Sequence, residues 1–243
     1  MNEEKFTGKA DVYDRYRPSY PAELINWLWE KTHAETVADI GAGTGIFTKC
    51  LSVKPWKITA VEPNADMLEK LRSNLPDIEI VNAPAESTGI ADGSIDLVTA
   101  ATAFHWFDKE KFKTECRRIF TTKGRLALVW NDHKENDFLL ERDRVFLKYC
   151  GICNSVAGSS SDGDKFLRSG YFSDMEFLTL SNSIYMTEEQ FVGYSLSHSY
   201  SLKKDDENYK GFVDELHGAF AKYSKNGKAE VLFETSCYFG KFE

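Results

Sequence analysis

An α/β fold built on a mostly parallel sheet, with helices on both faces, is the prediction, and two features make it. Short apolar runs alternate with segments of helical period from residue 21 to about residue 150, the pattern of strands joined by crossover helices. The first run, Val37 to Ile40, opens into Gly41-Ala-Gly43-Thr-Gly45, and Phe47, Cys50 and Leu51 then follow at helical spacing. That reads as strand, tight turn and helix start. Glycine permits the sharp turn and a close ligand, and a helix N-terminus favours an anionic group.

The elements follow in order. Tyr13, Tyr16 and Tyr20 form a one-face stripe, but Pro18 and Pro21 interrupt it, so a short helix and an extended arm are expected. Tyrosines packing on the core explain this stretch about as well as a lid over residues 1–20 does. Pro21 opens a helix with Leu24, Ile25, Leu28 and Trp29 on one face. Strands are expected at 57–61, 78–81, 95–99 and 125–130. Asn64 should cap a helix carrying Met67, Leu68 and Leu71. Further helices are expected at 109–120, ended by Gly124, and at 136–149. Beyond Cys153 the alternation stops. A Ser-rich loop at 155–163 precedes strands at 176–180 and 230–239. Between those strands lie helical patterns near 187–195 and 205–222, read as an insertion (187–226) over the active edge of the sheet, within a single domain. Patterning alone favours core packing for its aromatics Phe191, Tyr194, Tyr200, Tyr209 and Phe212; position along the chain favours a roof.

Composition narrows the function classes. The 243 residues suffice for one large domain, and 42% hydrophobic with 28% charged content is ordinary for a globular protein. A net charge of −8 disfavours nonspecific nucleic-acid binding. No apolar run approaches the roughly 18 residues of a membrane span, and the polar N-terminus has no apolar signal core, so a cytoplasmic protein without membrane contact is expected. The five cysteines are scattered. Cys150-Gly-Ile-Cys153 lacks the further ligands of a structural zinc site, and it falls at a helix end, so ordinary thiols and no metal are expected. The oligomeric state is not legible.

The spacing of the turn carries the chemistry. A dinucleotide fingerprint runs G-x-G-x-x-G, whereas here Asp39-x-Gly41-x-Gly43-x-Gly45 is followed by Ile46 where the third glycine would stand. The second strand ends in Glu62, whose carboxylate suits a ribose diol. This constellation resembles the class I S-adenosylmethionine-dependent methyltransferases. The run Tyr13-x-x-Tyr16-Arg17-Pro18-x-Tyr20-Pro21 and the later His105-Trp106-Phe107 are similar to a small-molecule subgroup of trans-aconitate type, also called methyltransferase type 11. The likeness spans about residues 8–131. It implies a Rossmann-like, seven-stranded, mostly parallel sheet, with the helical insertion before the last strand.

The resemblance also implies S-adenosyl-L-methionine as cofactor. Its contacts are expected from Tyr13, Tyr16, Arg17, Asp39, Gly41, Ala42, Gly43, Gly45, Glu62, Pro63, Met67, Ala85, Glu86 and Ala101. Pro84 replaces the acid that often binds the adenine amino group in this family, leaving the Ala85 backbone and Glu86; a plain Pro-containing turn also fits Asn82 to Glu86. Tyr20, His105, Trp106 and His133 are expected at the acceptor, with His105 the nearest candidate base. Structural support and substrate contact weigh equally for His105 and Trp106. The expected activity is methyl transfer to a small molecule, a carboxylate among the candidates because it needs no base, only a cation to hold it. A nicotinamide oxidoreductase with an atypical turn is the rival from another reaction class, and a non-catalytic S-adenosylmethionine-binding protein is the rival outside enzymes.

Overall fold

The computed structural model describes residues 6–153 and 170–242. The Ser-rich loop expected at 155–163 lies outside them. The strands are β1 (Thr36–Ile40), β2 (Lys57–Val61), β3 (Glu79–Val81), β4 (Ile95–Ala101), β5 (Phe120–His133), β6 (Glu176–Ser181), β7 (Ile184–Met186), β8 (Ala229–Val231) and β9 (Phe233–Gly240). The helices are α1 (Ala10–Tyr16), α2 (Ala22–Thr32), α3 (Ile46–Leu51), α4 (Ala65–Asn74), α5 (Lys109–Ile119), α6 (Asp137–Cys150), α7 (Glu188–Leu196) and α8 (Tyr209–Tyr223).

Seven strands form one sheet in the order β3-β2-β1-β4-β5-β9-β6. The first five are parallel, and β9 runs antiparallel between β5 and β6. The expected α/β, Rossmann-like, seven-stranded sheet is therefore what the chain adopts. Strand order reverses between β1 and β4, and ligands bind such sheets at the strand ends beside the reversal.

Strand alternation divides the core. In β5, Leu126, Leu128 and Trp130 face α5, packing with Phe112, Cys116 and Ile119. The intervening Ala127 and Val129 face α2 and α3, against Leu24, Leu28, Phe47 and Leu51. Period-two side-chain direction puts successive residues on opposite faces, and helices cover both.

The helix starts follow their caps. Asn64 Oδ1 accepts from the Met67 N–H at 3.0 Å, and Asn136 does the same for Leu139 at 2.8 Å. Thr187 and Gln190 form a reciprocal capping box on α7. One boundary differs from expectation. Helix α5 ends at Ile119, before Gly124, and β5 begins at once. Pairing with β4 slips between Ile95–Phe120 and Leu97–Arg125. At this bulge a Cβ on Gly124 would stand 2.3 Å from the Phe120 ring, so the glycine admits that ring and does not stop the helix.

The segment between β6 and β9 carries the two expected helices and a ribbon, β7–β8, that the sequence did not announce. Its core joins Phe191, Tyr194, Phe212, Leu216 and Phe220 to Phe138 and Phe146 of α6. Phe191 and Phe212 are fully buried there, each contributing about 1.5–3 kcal/mol to stability. Most of the insertion's aromatics thus hold it together, as patterning favoured. Among the described residues, no helix is long and apolar enough to cross a membrane.

Candidate active site

A cavity opens where β1 and β4 end, and the glycine turn forms its floor. Gly41, Gly43 and Gly45 have φ of +72°, +59° and +92°, a region other residues enter only at a cost. Two of them also have a spatial reason. A Cβ on Gly41 would lie 2.6 Å from Ala103 Cβ, and one on Gly45 would lie 2.6 Å from Leu71 Cδ1. At Gly43 only the Tyr13 ring edge is near, at 4.0 Å. Gly41, Ala42 and Gly43 line the cavity. Gly45, also expected at the cofactor, lies outside that lining; it caps α3 and makes room for α4.

Two acids stand at the strand ends. Asp39 is buried and accepts from Thr48 Oγ1 at 2.6 Å and Thr99 Oγ1 at 2.8 Å. Burial pushes its carboxyl up to about 6, while the two hydroxyls act the other way. Glu62 is held by main chain: Oε2 accepts from the Gly43 N–H and Oε1 from the Asn64 N–H, both at 2.8 Å. The carboxylate thereby fixes the turn and the start of α4 together. Both acids line the cavity.

Next to Glu62, Pro63, Asn64 and Met67 form one apolar-edged wall, and Pro84, Ala85 and Glu86 form the facing one. Glu86 Oε1 accepts from the Asp108 N–H at 2.7 Å, which ties this loop to the start of α5. Ala101 ends β4 at the cavity, and Thr102 follows with φ of +52°. A β-branched residue there is strained; its hydroxyl meets Tyr20 Oη at 3.0 Å.

The N-terminal arm covers the opposite side. Tyr13, Arg17, Pro18 and Tyr20 line the cavity, and so does Phe6. Phe6 meets Tyr13 and Trp106 edge-on, with centroids at 5.7 and 6.0 Å. The arm is pinned at several points. Lys9 Nζ donates to the His198 and Ser201 carbonyls at 2.7 and 3.0 Å and to Ser201 Oγ at 2.9 Å. Tyr16 faces away from the cavity: its hydroxyl donates to Glu189, and its ring fills the space a Cβ on Gly193 would need. Tyr16, expected at the cofactor, therefore docks α1 on α7 and is not part of the cavity lining. Arg17 lies against the Tyr13 and Tyr194 rings at 5.1 and 5.3 Å. Its Nε is buried without a hydrogen-bond partner, and among the described residues Arg17 makes no ion pair.

At the far end stand Trp106, Asn131 and Tyr194. His105, in the short 3-10 turn Phe104–Trp106, is exposed, packs beside Trp106 and lies outside the cavity. A turn of that pitch sends adjacent side chains about 120° apart, so Trp106 faces in and His105 does not. The expected catalytic residue His105 therefore stands beside the cavity and not in its lining. His133 also lies outside the lining. It stands behind Tyr194, with Nε2 at 2.6 Å from Tyr194 Oη. Phe6, Asn64, Asn131 and Tyr194 are wall residues that sequence reasoning missed. Asn64 had been recognised only as a cap, and Tyr194 only as one of the insertion's aromatics.

A parallel sheet with an antiparallel seventh strand, an acid before a G-x-G-x-G turn and an acid closing β2 are the arrangement that the resemblance to the class I S-adenosylmethionine-dependent methyltransferases implied. Residues 38–128 match the family described as a methyltransferase domain. An uncharacterised methyltransferase of Mycobacterium bovis is 40% identical over 130 residues, 54% of this chain and 53% of the relative. The chain thus spans about half the length of that relative. An uncharacterised methyltransferase-like protein of Schizosaccharomyces pombe is 26% identical over 242 residues, covering 96% of this chain and 94% of its own. The solved structure of a putative type II methyltransferase from Anaeromyxobacter dehalogenans superposes with a TM-score of 0.69 at 24% identity, over 93% of this chain and 98% of that one, a likeness of fold.

Proposed function

We propose that this chain transfers a methyl group from S-adenosylmethionine to a small organic acceptor held between Arg17 and Tyr194. One observation carries the reading: a buried carboxylate pinned by two backbone N–H groups, Glu62, shares a cavity with the guanidinium-bearing side chain of Arg17, which makes no ion pair among the described residues. A ribose diol offers donors to the first, and a carboxylate offers acceptors to the second. The open space over Gly43 is the cradle such a ligand would fill.

When bound, S-adenosylmethionine supplies an electrophilic methyl on a sulfonium. The remaining work falls to the chain. Glu62 takes the ribose hydroxyls, and Met67, Pro84 and Ala85 offer the apolar walls an adenine needs. Tyr13 and Trp106 present aromatic faces to a cation. The arm 6–20 acts as a lid, excluding water while the acceptor is brought in line. A small carboxylic acid, the acceptor class of the trans-aconitate-type enzymes this arm resembles, needs no base. That agrees with His105 lying outside the cavity and with a partly apolar, concave pocket of small-molecule size. Ile46 in place of a third fingerprint glycine weighs against a nicotinamide.

Calorimetry with S-adenosylmethionine, S-adenosylhomocysteine and NAD tests the cofactor, and a tritium-methyl screen over metabolite pools tests the transfer. Binding of the first two and label in a small acidic product are expected. Preference for NAD, or cofactor binding with no labelled product from any pool, would overturn the reading.

A further inference from the structure

The group behind Tyr194 decides what Tyr194 can offer a ligand. His133 Nε2 lies 2.6 Å from Tyr194 Oη and 3.3 Å from Arg142 Nη1. A guanidinium has donors only. His133 Nε2 therefore carries the lone pair and Nδ1 the proton, a tautomer assigned from the bonding pattern. A hydroxyl lone pair turned toward that nitrogen would be repelled, so the Tyr194 hydroxyl donates to it. Its single proton is then committed, Arg142 also donates toward the oxygen, and one lone pair is left for the cavity that Tyr194 lines.

The surroundings keep this arrangement one-directional. His133 faces Arg142 of α6, Arg17 of the arm, Tyr194 of α7, His198 just beyond α7, and Phe233 of β9. Arg142 is fully buried and its Nε and Nη2 engage Asp143, so that carboxylate already has a partner. Burial first, and then the two guanidiniums, hold the His133 imidazole well below its usual range. A proton arriving there would stand beside two cations. His133 thus serves to orient Tyr194 and is unsuited to act as a base.

We propose that Tyr194 is a specificity-determining residue, locked as a hydrogen-bond acceptor by the His133–Arg142 pair, and that the cavity selects small acceptors carrying a hydroxyl or amino donor. The inference rests on the methyl-transfer reading for the word acceptor and extends it to substrate class. The bond it invokes is a hydrogen bond, with no proton passed to His133.

The test uses the full chain loaded with S-adenosylhomocysteine, whose affinity is measured first; failure at that step refutes the cofactor reading and not this one. Lactate against propionate, malate against succinate and 3-hydroxybutyrate against butyrate are then titrated by calorimetry. The hydroxyl member of at least one pair should bind about tenfold more tightly, the worth of one hydrogen bond. That preference should vanish in Tyr194→Phe and persist in His133→Gln, whose amide oxygen accepts in place of Nε2. Nitrogen-15 NMR should show His133 protonated on Nδ1 and unchanged from pH 8 to pH 5. No discrimination in any pair, a preference that survives Tyr194→Phe, or a His133 ring that titrates or carries its proton on Nε2 would overturn the proposal.

Discussion

Replacing Glu62 by alanine tests the cofactor site most directly, because one side chain does two separable things. Toward a ligand, its carboxylate stands to accept two ribose hydroxyl bonds. Charge-assisted bonds are worth about 1.5 kcal/mol each at the low end, so their loss should cost about 3 kcal/mol, or about 150-fold in Kd. Toward the fold, it holds the Gly43 and Asn64 N–H groups. Both lie at the cavity, where water can replace the lost oxygens, so the apo protein should lose only about 1–2 kcal/mol. Titration calorimetry with S-adenosylhomocysteine reads the first effect, and thermal unfolding without ligand reads the second. Glu62→Gln keeps the volume but turns an amide N–H₂ toward one backbone N–H, and it should fall between alanine and the parent. A Kd within threefold of the parent, in a variant that melts at the parent's temperature, would refute the role given to Glu62.

Four further outcomes follow from the same geometry. Gly43→Ala should cost the apo protein only about 1–2 kcal/mol, the strain of φ +59°, yet weaken cofactor binding by about tenfold or more; Gly41→Ala, whose Cβ meets Ala103, should lower the melting temperature well beyond that, and equal melting of the two would contradict the assignment. Arg17→Met should weaken binding of carboxylate-bearing ligands by about tenfold or more while leaving adenosine binding unchanged, as calorimetry can show. Asp39 carries a folded-state value of about 6 against 3.8, so the folded state binds the extra proton between these values and stability falls as pH rises through them; relative to Asp39→Asn, denaturant titrations should show the parent losing up to about 3 kcal/mol between pH 4 and pH 7, and a flat difference would refute this. Lys9→Met removes the ammonium that ties α1 to residues 198–201, so hydrogen exchange in residues 8–20 should quicken without ligand and slow again with S-adenosylhomocysteine; unchanged exchange would leave the arm as fixed core.

Excising the insertion is a poorer probe of the acceptor end than a point change. Phe191, Phe212 and Phe220 share one core with Phe138 and Phe146 of α6. Removing residues 187–222 would strip α6 of its partners, whereas Tyr194→Phe removes one hydroxyl and keeps the packing.

The sequence by itself determined the sheet, the switch point and the glycine-turn side of the cavity. Those features rest on local chemistry: period-two apolar runs, Asn64 as a cap, glycines where φ must be positive, and an acid at the end of each of two adjacent strands. Such signals lie within a few residues of one another, and each has its own physical cause. The tertiary structure alone decided the side of the cavity formed by the N-terminal arm and α7. Tyr16 and Tyr13 look alike in the run, but α1 turns one onto α7 and the other onto the cavity. His105 and Trp106 are adjacent, and the pitch of a three-residue turn chose between them. Gly45 belongs to the motif, yet Leu71 across the turn is what requires it. The contact between His133 and Tyr194 joins residues 61 apart, beside a core shared by α6, α7 and β9. No periodicity encodes that pairing, because it arises only once two separately amphipathic elements have packed together.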